Sequence, residues 1–369
     1  MTIVLRSIVA ICVACALVCL APAAPAADPA AIKAAIERGS KYLIEQGQAA
    51  DGSFSSQVGP AVTALAVTAL VQSGTPADDP AVKKGLEYLL KFRNADGGIH
   101  TPDSKVANYE TAIAIMALSA CNYGGRYAKE LQEAEAFVKG LQWDDAEGKN
   151  SDDPAYGGAG YGSKGRPDLS NTAFMIEALR SVGTSQNDPA IQRALAFVSR
   201  TQNLEGPHNT LPHPAKNPDG GFYYTPANGG ESQAGTLPNG GLRSYGSMTY
   251  AGLKSMIFAG VSKTDPRVKA ATAWLRKHYT FAENPGLADA GLYYYFHTAA
   301  KALEALDDDR FADEAGTEHD WRGELSDVIL ARQQPDGSWV NGNKRWMEGD
   351  PNLVTAYALL ALSYCAATP

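Results

Sequence analysis

Cysteine is scarce in this chain, with five in 369 residues. Three of them, Cys12, Cys15 and Cys19, fall in the first twenty positions, so removal of a leader would leave only Cys121 and Cys365. A disulfide scaffold is thereby excluded, and the fold has to rest on a hydrophobic core. Long apolar runs are missing too: beyond the N-terminus nothing approaches the roughly 18 uncharged apolar residues of a membrane span. Positive charge is short, with 32 Lys and Arg against 40 Asp and Glu and a net charge of -8. That balance argues against a nucleic-acid footprint and against a basic membrane-surface patch. A hydrophobic fraction of 45% is enough to bury a large core.

The N-terminus does carry one apolar stretch. Arg6 precedes a run from Ile8 to Leu20, followed by small residues ending Ala24-Pro25-Ala26 before Asp28. This reads as a signal peptide over residues 1–26, and the expectation is an exported protein, periplasmic or secreted. A lipoprotein cut at Cys19 is disfavoured by the bulk of Val18.

An internal repeat runs through the remainder. Six segments pair Thr with Ala or Tyr inside nearly all-apolar words, at Thr63, Thr111, Thr172, Thr249, Thr298 and Thr355. Apolar residues all round the circumference predict helices buried on every side. Each is preceded by an amphipathic helix, marked by pairs such as Tyr42-Leu43, Phe197-Val198 and Trp274-Leu275 with charges on the opposite face. Acid-Gly turns at Asp51-Gly52, Asp96-Gly97, Glu147-Gly148, Glu205-Gly206 and Asp336-Gly337, with Asn284-Pro285-Gly286 in the fifth unit, read as the joints inside each hairpin. Asp-Pro breaks open the next outer helix at Pro80, Pro189 and Pro266. Six such hairpins predict an all-α fold, an (α/α)6 barrel over residues 27–369 with apolar helices inside and amphipathic ones outside. An open solenoid would need capping repeats with polar faces, which neither end supplies.

Residues 333–339 read QQPDGSW, 48–54 read QAADGSF and 93–99 read RNADGGI. These resemble the Gln-x-x-Asp-Gly-x-Trp repeat of the terpenoid cyclase and protein prenyltransferase superfamily, in which Gln and Trp tie adjacent outer helices. The resemblance implies the same barrel and an apolar, isoprenoid-like ligand. In the cyclases that protonate an alkene, an Asp-x-Asp-Asp-Thr-Ala motif supplies the acid. Here Asp168-Leu169-Ser170-Asn171-Thr172-Ala173 falls on that pattern with Ser170 at the acid position, and a hydroxyl cannot protonate an alkene. The Asp-x-Cys of the zinc-dependent transferases and the Gly-Cys-Gly-Glu-Gln of the thioester barrels are absent. No metal ligand and no cofactor is therefore assigned, and whether the chain is an enzyme stays open.

The residues just before each inner-helix Thr should ring one mouth of the barrel. They are Val62, Glu110, Asn171, Met248, His297 and Val354, with Tyr109, Ser170, Tyr245, Tyr294 and Tyr295 at nearly the same level. Asp168, Glu110 and His297 are the candidate catalytic groups. Tyr109, Asn171, Ser170, Tyr245, Tyr294 and Tyr295 are the candidate ligand contacts. Helix N-termini would add positive potential there, and Asp168 is equally well placed to cap one of them. Long loops at about 145–168 and 203–246 are expected to narrow the same mouth. The functional expectation is a squalene-cyclase-like barrel that binds or acts on an elongated apolar molecule. The alternatives are a non-catalytic scaffold or binding protein and a polysaccharide-acting barrel enzyme, the latter needing Glu110 and Asp168 as facing carboxylates.

Overall fold

The computed structural model describes residues 28–162 and 165–366; the leader read at 1–26 lies outside the described residues. The helices follow in order as α1 Pro29–Tyr42, α2 Ala61–Gln72, α3 Pro80–Leu90, α4 Ala107–Ala120, α5 Ala128–Lys139, α6 Leu169–Ser181 and α7 Pro189–Arg200. After these come the short α8 His213–Lys216, then α9 Gly246–Phe258, α10 Pro266–Lys277, α11 Leu292–Leu306, α12 Trp321–Leu330 and α13 Pro351–Ala366. A two-residue antiparallel pair, β1 Phe311–Ala312 and β2 Glu318–His319, sits between α11 and α12.

Local chemistry sets the helix starts. Asp28, Asp79, Asp188 and Asp265 each accept the N–H two residues on, with Pro at the first helical position. The side chain satisfies an orphan donor and Pro presets φ. The outer helices bury one face, as α7 does with Ile191, Ala194 and Val198. By contrast α2 is buried at every position from Ala61 to Leu70, and α13 from Leu353 to Leu362.

The inner helices close a ring: α2 touches α4, then α6, α9, α11 and α13 follow in turn, and α13 returns to α2. Among the described residues the fold is an α/α toroid of six inner and six outer helices. Within it the hairpins pair differently from the sequence expectation. Outer helices α3, α5 and α10 pack chiefly on the inner helix before them, and α1 packs on α13. The connection α2–α3 spans only residues 73–79, whereas α1–α2 spans 43–60, and short connections join antiparallel neighbours.

Glutamine ties the outer ring. The Nε2 of Gln48 donates to the carbonyls of Gly52 and Ala81, Gln142 to those of Gly157 and Ala190, Gln202 to those of Gly220 and Arg267, and Gln333 to those of Gly337 and Ala35. The last bond ties the segment after α12 to α1. The turn glycines are accordingly Gly52, Gly97, Gly157, Gly220 and Gly337. Each has φ between +79° and +93° and lies against a backbone carbonyl of the next outer helix; a Cβ on Gly157 would stand 1.8 Å from the Arg193 oxygen. Glu147-Gly148 and Glu205-Gly206 are therefore not the repeat's joints. They belong to insertions between the glutamine and the turn, where an acid-Gly pair can form a surface turn without touching a neighbouring helix.

The repeated threonine has a structural role. Thr63, Thr111, Thr172, Thr249 and Thr355 accept the backbone N–H of Phe54, Ile99, Ala159, Phe222 and Trp339, in each case two residues after the turn glycine. Thr298 makes no such bond, and its buried Oγ1 has no partner. It is the seventh residue of α11, while its counterparts are third to fifth in theirs. The fifth unit's Thr-Ala word sits about one helical turn deeper in the ring.

Candidate functional site

A cavity of about 300 Å³ opens at the N-terminal end of the inner helices. Its wall is a run of rings from five elements. Tyr161 lies 6.2 Å from Tyr109 on α4, Tyr109 lies 5.4 Å from Phe174 on α6, Phe174 lies 6.1 Å from Tyr294 on α11, and Tyr294 lies 6.0 Å from Tyr357 on α13. The Ser170 hydroxyl pairs with the Tyr294 hydroxyl at 3.0 Å. Burial pushes the Tyr109 phenol up to about 12, with Tyr161 nearby adding to the rise and a hydrogen bond with Tyr357 opposing it. These phenols are neutral wall groups near pH 7.

Both inserted loops reach this mouth. The third-unit loop brings Tyr161, whose carbonyl accepts the Asn108 N–H at 2.9 Å. The fourth-unit loop brings Tyr224, Gln233 and Tyr245. The loops hold each other through Leu169 N–H to the Tyr224 carbonyl, Thr225 Oγ1 to the Pro167 carbonyl, and the Arg166–Glu231 ion pair at 2.5 Å. A third segment, Trp346 to Glu348, had no sequence signal beyond one acid among turn residues and also lines the cavity. Four of the six large hydrophobic side chains exposed among the described residues, Val58, Tyr161, Trp346 and Met347, stand on this wall. Trp346 and Met347 both have positive φ, at 53° and 65°, a conformation that costs energy in a residue with a Cβ.

Of the predicted residues, Tyr109, Glu110, Ser170, Tyr245 and Tyr294 line the cavity together. Glu110 is 1% exposed and accepts Ser104 Oγ at 2.6 Å and Thr101 N at 3.3 Å. Burial raises its carboxyl above the ordinary value, and the Ser104 and Thr101 bonds offset part of that. Asp168 does not line the cavity. It is the N-cap of α6, with Oδ1 accepting Asn171 N at 2.9 Å and Oδ2 accepting Asn171 Nδ2 at 2.8 Å. Burial lifts it to about 6, against the pull of Asn171, Tyr224 and Arg166. Asn171 gives its backbone N–H and its Nδ2 to this cap. Tyr295 turns away from the cavity, donating its hydroxyl to the Thr280 carbonyl at 2.5 Å and packing on Tyr250 and Phe281.

His297 is displaced most from the expected rim. It stacks under Tyr357 at 5.7 Å and lines a second cavity deeper in the ring, because α11 starts earlier relative to its Thr-Ala word. The acid that does face the first cavity and escaped sequence reasoning is Glu348, 1% exposed. Its Oε1 accepts Tyr293 N at 2.9 Å and Tyr294 N at 2.8 Å, and its Oε2 accepts Asn341 Nδ2 at 2.6 Å. Burial raises this carboxyl as well.

Chemically the cavity is an aromatic pocket with two carboxylates whose lone pairs are already engaged. Among the described residues no group of three His, Cys, Asp or Glu side chains could hold a metal ion, and no described helix is long and apolar enough to cross a membrane. Cys121 and Cys365 are buried free thiols.

Residues 56–224 match the squalene-hopene cyclase C-terminal domain family. A squalene–hopene cyclase of Zymomonas mobilis is 29% identical over 146 residues, which cover 39% of this chain and 22% of that protein. The matched stretch thus spans about a fifth of that relative. Among solved structures, a family 76 glycoside hydrolase from a bovine Bacteroides thetaiotaomicron strain aligns with TM-score 0.58 and 10% identity, over 90% of this chain and 77% of the other. A possible GH105-family member from Salmonella enterica aligns with TM-score 0.54 and 12% identity, over 92% and 94%. These two likenesses show the α/α-toroid fold.

Proposed function

We propose, from the premise that this toroid is terpenoid-cyclase-like in sequence and fold, that the chain binds an elongated apolar, isoprenoid-like molecule in the cavity at the inner-helix N-termini. The observation that carries the reading is the continuous run of rings from Tyr161 to Tyr357 beneath an exposed apolar rim. Such a wall gains by being covered with hydrocarbon, and its volume falls at the small end of the roughly 300–1,000 Å³ of small-molecule pockets. The polar groups on it are too few and too engaged to replace the hydration of a sugar chain. Cyclisation begun by protonation is not part of this reading: Ser170 has no carboxyl, and both Asp168 oxygens are bonded within the cap. The chain is further proposed to act outside the cytoplasm as one barrel over residues 27–369, on the strength of Arg6, the Ile8–Leu20 run and Ala24-Pro25-Ala26.

Native mass spectrometry of protein purified from its own host tests the reading, joined to titrations with geranylgeraniol and with an oligosaccharide. The expected outcome is a co-purified lipid mass and saturable binding of the prenyl alcohol alone, weakened at least ten-fold by Phe174→Asp. Saturable binding of the oligosaccharide with none of the alcohol would transfer the chain to the glycan-acting class.

A further inference from the structure

At the opposite end of the toroid a second cavity, of about 200 Å³, runs inward from the C-terminal ends of α2, α4 and α6. Gln72 and Ser181 are exposed at its lip, and Glu177, His297 and Lys301 form its inner wall. It shares no lining residue with the first cavity.

The charge at its base is unbalanced. Glu177 of α6 binds two ammonium groups, Lys254 of α9 through Oε1 and Lys301 of α11 through Oε2 at 2.5 Å. The Glu177 and Lys254 side chains are 2% and 3% exposed, and Lys301 is 17% exposed. Besides these, the titratable groups facing the cluster are His297 and Tyr294 of α11 and Tyr364 of α13, the last a neutral partner of Lys301; α2 and α4 line the cavity without a charged residue. Burial would raise Glu177, but Lys254 and Lys301 hold it down at about 2. Burial, the lysines' charge adding to it, pulls His297 down to about 3, so its ring is neutral at pH 7. Burial, with the charge of Lys301 adding to it, pulls Lys254 below the ordinary amine value against the attraction of Glu177; with both lysines charged, two cations face one anion.

A structural tie across the ring needs one lysine opposite Glu177. A second one leaves a net positive charge in a low-dielectric interior, which is costly unless an anion shares it. Independent of charge, His297 lines the cavity and its buried Nδ1 has no partner. Buried polar atoms are ordinarily satisfied. A cavity beside a surplus ammonium, with an unpartnered imidazole on its wall, has the donors an anion takes up.

We propose that this second cavity is a binding site for a small oxyanion, a phosphate, sulfate or carboxylate group, held by Lys301 on the open side of Glu177 with Lys254 behind and the His297 ring as a further donor. The space holds a handful of water-sized groups at about 30 Å³ each, which suits one such group and not a nucleotide.

The test is calorimetric titration of the full chain at pH 7, in low-chloride buffer, with inorganic phosphate, sulfate and acetate in separate runs. Saturable binding of at least one is expected, and the order among the three identifies the preferred anion. Lys301→Met should weaken it at least ten-fold while circular dichroism is unchanged, because Lys254 still neutralises Glu177. Lys301→Arg should retain it. Nitrogen NMR of the wild-type His297 ring gives a readout free of any folding defect: its resonances should shift along the same isotherm. No saturable binding of any of the three anions, undiminished binding in Lys301→Met, or binding that leaves the His297 ring unmoved would overturn the proposal.

Discussion

The carboxylate of Glu348 stands over the backbone of Tyr294, accepting its N–H at 2.8 Å and that of Tyr293 at 2.9 Å. A loop residue thereby caps the fifth inner helix from outside the helix's own chain segment. The same helix start carries the ring that meets Ser170 in the cavity, so the cap fixes both the fold and the wall. Glu348→Ala strands two buried donors and the Asn341 amide, and a loss of about 2–4 kcal/mol is expected in urea denaturation. Glu348→Gln keeps an acceptor for the helix and should lose about half as much. Equal stability of all three proteins would show that the helix start is satisfied without this side chain.

Asp168 makes a prediction about pH. Its folded value of about 6 lies above the ordinary value of 3.8, so the folded state holds its proton more tightly than the unfolded chain does. The stability this contributes is full below about pH 4 and is lost as pH rises through 6. The ionised form costs roughly 3 kcal/mol by the usual 1.4 kcal/mol per pH unit. Asp168→Asn keeps a capping side chain, and Asn171 can turn its unpartnered Oδ1 toward the new amide. The variant's stability relative to the parent should therefore improve by up to about 3 kcal/mol between pH 4 and pH 7.5. A difference that does not change with pH would mean that Asp168 ionises as it does in water.

Much of this architecture is written locally, and the parts that are not share one cause. The inner helices are legible because all-round apolar words such as TALAVTAL have no other soluble home, and Gln48 and Gln333 because only four positions separate each from its turn glycine. Gln142 and Gln202 make the same two bonds across 15 and 18 positions, and an insertion of that length erases the spacing while leaving the geometry. His297 lies off the rim for a related reason: counting back from a Thr-Ala word assumes that every inner helix starts at the same distance from it, and α11 does not. Glu348 is a lone acid in a turn until ring closure brings α11 beneath it. Ser170 and Tyr294 reach the cavity because they sit within a turn of a helix start, where sequence position and rim position nearly coincide.

The glutamine ties predict an asymmetric response to one atom. Gln202 is fully buried, with Nε2 donating to two carbonyls. Gln202→Glu replaces that donor with a charged acceptor facing both, which should cost about 3–5 kcal/mol at pH 7. Part of this should return near pH 4, where a protonated carboxyl can donate to one carbonyl. Gln48 makes the equivalent bonds in a half-buried setting, so Gln48→Glu should cost clearly less. Melting temperatures of the two variants at both pH values check the ranking, and equal losses at the two sites would contradict the burial argument.

Trp346 separates what the rim does for folding from what it does for binding. It holds φ at 53°, is 44% exposed, rests its ring on Gly291 and lies 4.1 Å from the Arg345 guanidinium. A large exposed ring in a left-handed conformation contributes little to a fold that would accept glycine there more easily. In Trp346→Gly the relieved backbone offsets the greater freedom of the unfolded chain, so stability without ligand should stay within about 1 kcal/mol of the parent. Stabilisation by added geranylgeraniol should fall, because the cavity loses the ring at its lip and part of the apolar area that covers the ligand. Denaturation with and without the alcohol measures both quantities in one series. A variant that loses several kcal/mol in the absence of ligand would make Trp346 a packing residue, and one that keeps the full ligand-dependent gain would remove the rim from the binding site.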